Sequence, residues 1–115
     1  MIETSRRRWR VMKFGGTSVS SVEHWETIAE LVQARLDAGL QPVVVHSALS
    51  GISNALEATL TTAVVGDPSA QLEAIRRQHF ELAEALGLDA APLLEDRLHE
   101  LEQLVAGVRL VKEVS

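Results

Sequence analysis

The sequence predicts an α/β fold with a mainly parallel sheet. Two observations carry that expectation. A short apolar run, "WRVMKF" (residues 9–14), an amphipathic helical stretch and a second run, "PVVVHSA" (42–48), follow one another within about 40 residues, the arrangement of a βαβ unit. The second run holds three consecutive β-branched residues, Val43, Val44 and Val45, with no polar alternation. Such a run suits a strand covered on both faces, as in a parallel sheet, and its crossover is expected to be right-handed.

Taken in order, the first strand ends at Gly15. A helix then starts near Ser20 or Ser21, either of which suits an N-cap. Its apolar positions, Val22, Trp25, Ile28, Ala29, Val32 and Leu36, step by threes and fours. Glu23 and Glu26 favour its first turns, Gly39 suits its end and Pro42 forbids its continuation. Three further helices follow. Residues 53–65 present Leu56, Leu60 and Val64 on one face and stop at Gly66. The next has Asp67 as cap and Pro68 at its first position; its seam is Leu72, Ile75, His79, Leu82 and Leu86, with Phe80 beside it, and Gly87 ends it. The last begins near Asp89 and carries a stripe of Leu94, Leu98, Leu101, Val105 and Val108.

Two strands are few for a sheet, which averages about five or six. The expectation is therefore the N-terminal part of a longer chain. Residues 1–8 form a flexible lead-in, 9–53 the βαβ unit with its loops, and 54–115 a helical segment of an incomplete domain.

Composition bounds the function. With 115 residues, the chain suffices for one domain; 46% of it is hydrophobic and 23% charged, as in soluble globular proteins. The aromatics are Trp9, Phe14, Trp25 and Phe80, so the core must be aliphatic. A net charge of −5 argues against a general nucleic-acid binder, and "RRRWR" (Arg6–Arg10) reads as a solvated lead-in to the first strand. The absence of cysteine excludes disulfides, thiolate metal sites and a cysteine nucleophile, and fits a cytoplasmic setting. No apolar run approaches the ~20 residues of a membrane span. Lys13 and the glycines interrupt any signal-peptide core.

The chemistry is concentrated in two loops. In a parallel βαβ unit both strands end at one edge, so Gly15–Ser20 and Ser47–Ser53 should face one crevice. Gly15, Gly16 and Gly51 expose backbone N–H groups, and Thr17, Ser18, Ser47, Ser50 and Ser53 add hydroxyls. Each loop leads into a helix N-terminus. Lys13 is the one formal cation between Arg10 and Arg35. The combination suits an anion, phosphate above all. It is neither a Walker A loop, where the lysine follows the glycines, nor a G-x-G-x-x-G fingerprint. Spacing alone leaves two readings: an anion site, or a tight strand–helix turn with a surface lysine.

"VMKFGGTSV" closely resembles the opening motif of the aspartate kinases, within the amino acid kinase family. "VVVHSALSGISNAL" resembles their second signature, a valine-rich strand followed by S-A-x-S-G-[VI]-T-[DN]. The likeness extends along the chain, though residues 66–115 carry it only as a helical pattern. It implies the N-terminal part of a three-layer αβα fold of the carbamate kinase type. It also implies the reaction: ATP, with Mg²⁺, phosphorylates the side-chain carboxylate of L-aspartate to 4-phospho-L-aspartate. This is the first step towards lysine, threonine, methionine and diaminopimelate. Carried over by position, Lys13 is the catalytic residue and binds the ATP phosphates with Gly15, Gly16, Thr17, Ser18 and Gly51. Ser47 and Ser53 serve the amino-acid substrate. A homo-oligomer is implied for the full-length enzyme, with no nucleic-acid or membrane partner.

Two positions depart from the pattern. Ser53 stands where the family usually has threonine, keeping the hydroxyl. His46 stands where the family is usually apolar, and reads as a buried or sheet-edge histidine rather than a phosphate contact. His24, His79 and His99 are dispersed, and no metal-ligand spacing links them. The family's substrate-binding glutamate and arginine, its adenine pocket and its regulatory domains are expected beyond these residues, so the fragment alone is expected to be inactive. The alternatives are another member of the amino acid kinase family, or a non-catalytic phosphate- or nucleotide-binding module.

Overall fold

A computed structural model describes residues 8–114. The lead-in expected over residues 1–8, including Arg6 and Arg7, lies outside the described residues apart from Arg8. The chain divides between Ser50 and Gly51 into two compact units.

In the first unit, strand β1 (Trp9–Phe14) pairs in parallel with β2 (Gln41–His46), in register from Trp9↔Gln41 to Phe14↔His46. Helix α1 (Val22–Asp37) connects them. Of the two candidate caps, Ser21 is the one used. Its backbone is extended, and its hydroxyl accepts the His24 N–H at 3.3 Å. The helix ends as Gly39 predicts. Gly39 takes φ +79°, its N–H donates to Leu36 O at 2.9 Å, and the Leu40 N–H donates to Arg35 O at 3.0 Å. This pair of bonds closes the last turn around a residue with no Cβ to strain the left-handed backbone.

Met12 and Phe14 are half-buried. Their neighbours on β2, Val44 and His46, line a groove with Trp25, Ile28 and Val32 of α1. The opposite face carries Trp9, Val11, Val43 and Val45, all exposed. The valine run is thus a parallel strand, as expected. The expected cover on both faces is not found: Val43, Val44 and Val45 remain 36%, 39% and 46% exposed. The cause is simple. Among the described residues of this unit α1 is the one helix, and one helix covers one face of a sheet.

The second unit packs α2 (Ile52–Val65), α3 (Ser69–Ala85) and α4 (Ala90–Val114). Its buried apolar residues are Ile52, Ala63, Ile75, Ala83, Ala90, Leu98 and Val105. Helix α2 corrects the sequence reading. The buried positions are Ile52, Thr59 and Ala63, whereas Leu60 and Val64 are exposed and Leu56 is half-buried. The helix is rotated so that small side chains meet its neighbours, which lets the axes approach. Thr59 is fully buried, and its hydroxyl donates to Ala55 O at 2.7 Å. Its polar group is therefore satisfied within its own helix.

Helix α3 starts at Ser69, and Pro68 occupies the cap position without a side-chain hydrogen bond. Asp67 still performs the capping chemistry assigned to it. Its Oδ1 accepts from the Ser69 N–H at 3.0 Å and from the Ser69 hydroxyl at 2.5 Å. Those two bonds, with a weaker pull from Arg109, hold its carboxyl below the usual value. At the other end Gly87, at φ +75°, repeats the closure seen at Gly39: its N–H reaches Glu84 O, and that of Leu88 reaches Ala83 O. Between α3 and α4, Arg76 forms a double hydrogen bond with Glu95 and lies 4.5 Å from the centre of the Phe80 ring. The shared bonds raise the Arg76 pKa and lower that of Glu95. Helix α4 runs through Gly107 to Val114, burying Leu98 and Val105 of the expected stripe but leaving Val108 36% exposed. Among the described residues no helix is long and apolar enough to cross a membrane.

Two outcomes follow from this packing. Ile52→Ala should destabilise the intact protein by about 2–5 kcal/mol, the range for truncating a buried isoleucine. Leu60→Ala should cost less than about 1 kcal/mol, as an exposed position does. Urea unfolding midpoints that reverse this order would contradict the rotation of α2. The cap at Asp67 gives a pH dependence. Its folded pKa is depressed, so its contribution is complete above the ordinary value of 3.8 and is lost as pH falls from there through the folded value. Ser69 amide exchange should therefore accelerate, relative to its intrinsic rate, as pH falls below 3.8 in the parent protein. In Asp67→Ala it should be fast throughout, with that component of the pH response gone.

Candidate functional site

The carboxyl ends of β1 and β2 bring two loops together within the first unit. Lys13 is exposed in β1, opposite Val45, one residue before the strand ends. Among the described residues no carboxylate forms an ion pair with it.

The loop Gly15–Ser20 is held by its carbonyls. Gly15 O accepts the Val19 N–H at 3.2 Å, and Gly16 O accepts the Ser20 hydroxyl. Thr17 O is 3.2 Å from His24 Nδ1, which must be the donor because a carbonyl only accepts. Val19 O accepts the Trp25 indole N–H at 2.7 Å, while the Val19 side chain is 1% exposed. Inward-tied carbonyls leave the other half of the backbone available. Among the described residues the Gly16, Thr17 and Ser18 N–H groups donate no hydrogen bond. Such a run of free donors beside a lysine is chemically suited to an anion. Thr17 is exposed and Ser18 half-buried.

The second loop is stitched to the first. The Ser47 N–H donates to Phe14 O at 3.1 Å, and its hydroxyl lies 3.5 Å from the same oxygen. The Ser50 N–H donates to Ser20 Oγ at 2.8 Å. Gly16 is packed against this loop: a Cβ built on it would lie 3.0 Å from Ala48 O and 3.5 Å from Ser50 Cα. Its want of a side chain thus permits loop-to-loop contact as well as any approach by a ligand. A Cβ on Gly15 would meet nothing within 4 Å, so its surroundings are open.

The structure therefore gathers Lys13, Gly15, Gly16, Thr17, Ser18 and Ser47 at one sheet edge. Gly51 and Ser53 belong to the second unit. Gly51 takes φ +81° as the residue preceding α2, with no side chain capping that helix, and Ser53 is exposed in its first turn. The first N–H groups of α2 have no intrahelical partner by helix geometry.

His46 is neither buried nor structureless. It is exposed at the end of β2, its ring meets Trp25 edge-on at 6.1 Å, and its Nδ1 donates to Ser47 O at 2.9 Å. Sequence reasoning missed Ser20 and Trp25 as loop supports. The indole N–H could have signalled Trp25, since a partly buried tryptophan seeks an acceptor. Nothing local could have signalled the reach of Ser20 to Ser50, 30 residues away. A groove of about 530 Å³ lies between α1 and β2, lined mainly by apolar side chains. It suits packing rather than phosphate.

The sequence model of the amino acid kinase family matches residues 8–107. The chain belongs to the amino acid kinase family. Among curated amino acid kinase relatives, Aspartokinase 3, chloroplastic, of Arabidopsis thaliana is 36% identical over 118 residues, covering 98% of this chain and 21% of its own. The Aspartokinase of Chlamydia muridarum is 33% identical over 103 residues, covering 90% of this chain and 22% of its own. The Aspartate kinase of Pseudomonas fluorescens is 53% identical over 57 residues, half of this chain and 14% of its own. The chain thus spans about a fifth of the length of the Arabidopsis and Chlamydia relatives.

The packing of this kinase-family loop separates the two glycines. Gly16→Ala should destabilise by about 1–3 kcal/mol, because a backbone carbonyl cannot swing aside as a side chain would. Gly15→Ala should stay within about 0.5 kcal/mol. Equal shifts in thermal or urea midpoint for the two would contradict the close loop contact.

Proposed function

We propose that this chain forms the N-terminal part of an aspartate kinase catalytic domain and supplies one wall of its phosphate site. The observation that carries the reading is Lys13 at the end of β1, beside a glycine loop in which the Gly15, Gly16, Thr17 and Val19 carbonyls accept hydrogen bonds while the Gly16, Thr17 and Ser18 N–H groups donate none among the described residues. The relatives named as aspartokinases support aspartate as acceptor.

In this reading a side-chain carboxylate oxygen of L-aspartate attacks the γ-phosphorus of ATP. The bond from that phosphorus to the bridging oxygen breaks, giving 4-phospho-L-aspartate and ADP. The nucleophile is already ionised at neutral pH, so no general base is needed. The work left to the protein is to align two anions and offset their repulsion. Lys13 supplies positive charge to the phosphates, where charge moves during transfer. Gly15, Gly16, Thr17 and Ser18 supply backbone donors and shape the loop. Gly51 is assigned to the phosphates by its position in the family motif. Ser47 and Ser53 meet the amino acid. Mg²⁺ accompanies ATP and offsets phosphate charge. A cytoplasmic setting is part of the proposal and rests on the cysteine-free composition; the Arabidopsis relatives are chloroplastic by name.

Lys13→Ala in the intact protein should lower aspartate-dependent ADP release by roughly 10²–10³-fold, the range for deleting a transition-state donor. Stability should hardly change, because Lys13 is exposed. Undiminished ADP release would remove Lys13 from the mechanism. ADP release that ignores aspartate would remove aspartate as acceptor.

A further inference from the structure

The two loops at the sheet edge are bridged by a side chain that is not among the residues to which the family motif gives a role. Ser20 donates its hydroxyl proton to Gly16 O and accepts the Ser50 N–H on the same oxygen at 2.8 Å. It therefore connects the glycine loop to the loop after β2 across 30 residues of sequence. The hydroxyl suits the task because it is donor and acceptor at once. An alanine offers neither bond, and a carboxylate could not donate to Gly16 O.

Ser20 is half-buried and does not cap α1; Ser21 does that. Nor do the loops lack other restraints. Val19 is buried, Trp25 holds Val19 O, and the Ser47 N–H holds Phe14 O. The Val19 and Trp25 contacts hold the first loop to α1, and Ser47 ties the start of the second loop to the end of β1. Away from the strand ends, the hydroxyl of Ser20 is a hydrogen-bonding bridge from one loop to the other. It acts where they are closest, next to the 3.0 Å approach of a Gly16 Cβ to Ala48 O.

The geometry points to Ser20 as a positioning residue for phosphoryl transfer. This rests on the kinase reading above. Its hydroxyl orients the Gly16 peptide in the glycine loop and the Ser50 peptide in the second loop, and so sets the separation of groups assigned to phosphate and to amino acid. It touches neither reactant. Displacing one loop relative to the other would spoil alignment more than binding, because each loop keeps its own contacts. Alignment matters steeply: a shift of about 1 Å in reacting groups can cost about a hundredfold in rate.

The test uses the intact protein with Ser20→Ala, Ser20→Thr and the parent. Hydrogen exchange is followed in peptides spanning residues 47–52, and aspartate-dependent ADP release is measured against both substrates. Ser20→Ala should accelerate exchange at Ser50 and lower kcat by roughly tenfold or more. KM for ATP and for aspartate should change less than about threefold. Ser20→Thr, which keeps the hydroxyl, should restore both protection and kcat. A general loss of fold would instead accelerate exchange throughout the first unit and would not be rescued selectively by threonine; that outcome would overturn the proposal. So would unchanged Ser50 protection in Ser20→Ala, or altered protection with parental kcat. In all of these the parent remains an active aspartate kinase, so the kinase reading stands. A parent protein with no aspartate-dependent ADP release fails that reading itself, and the positioning role with it.

Discussion

Parallel pairing of β1 with β2 is the constraint on which the candidate site depends. Two antiparallel strands would place the loop after each at opposite ends of the sheet. Parallel strands in register from Trp9↔Gln41 to Phe14↔His46 finish together, and the Ser47 N–H continues the pairing by reaching Phe14 O. From that point the glycine loop and the serine loop leave side by side. Every later contact between them, from the Ser20 bridge to the packing of Gly16 under Ala48 O, presupposes this common starting line.

The glycine loop shows how a backbone acquires polarity without charged side chains. Each peptide carries a donor and an acceptor. Four carbonyls in Gly15–Val19 are engaged by Val19, Ser20, His24 and Trp25. With acceptors consumed and donors spare, the loop presents a net surplus of N–H groups. Lys13 adds a full positive charge beside it. The anchor for all this is aliphatic: Val19 is nearly inaccessible to solvent, so the loop cannot lift away without exposing it.

Much of the fold was legible because it follows local rules. The limits of β1, the serine cap of α1 and the left-handed closures at Gly39 and Gly87 depend on residues within a turn of one another. Asp67 was recognisable as a cap for the same reason, although the regular helix begins a residue beyond the expected Pro68. The family was legible in the loop strings, and the matched span of residues 8–107 agrees. What escaped was tertiary. Leu60 and Val64 looked like the inner face of α2 because they are large, yet Thr59 and Ala63 are buried, where close helix packing favours small side chains. The valines are β2, but cover is a property of neighbouring layers and not of the strand. Ser20 was weighed only as a helix cap, since its partner in the second loop is invisible to any local pattern.

Thr59 has a consequence for how the three-helix unit keeps its order. A buried hydroxyl that reached across to another helix would act as a latch, penalising any sliding or rotation by leaving a polar atom stranded. Thr59 instead returns its proton to Ala55 O in the preceding turn. Its hydrogen bond travels with α2 wherever that helix moves, and so discriminates among no arrangements. The registry of α2 in its unit then comes from the fit of Ile52, Thr59 and Ala63 against their neighbours and from Thr62, whose hydroxyl accepts the Gln71 side-chain N–H of α3 at 3.0 Å. Thr59 is polar as a residue but mute in choosing between packings, and the directional contact falls to Thr62 one turn on.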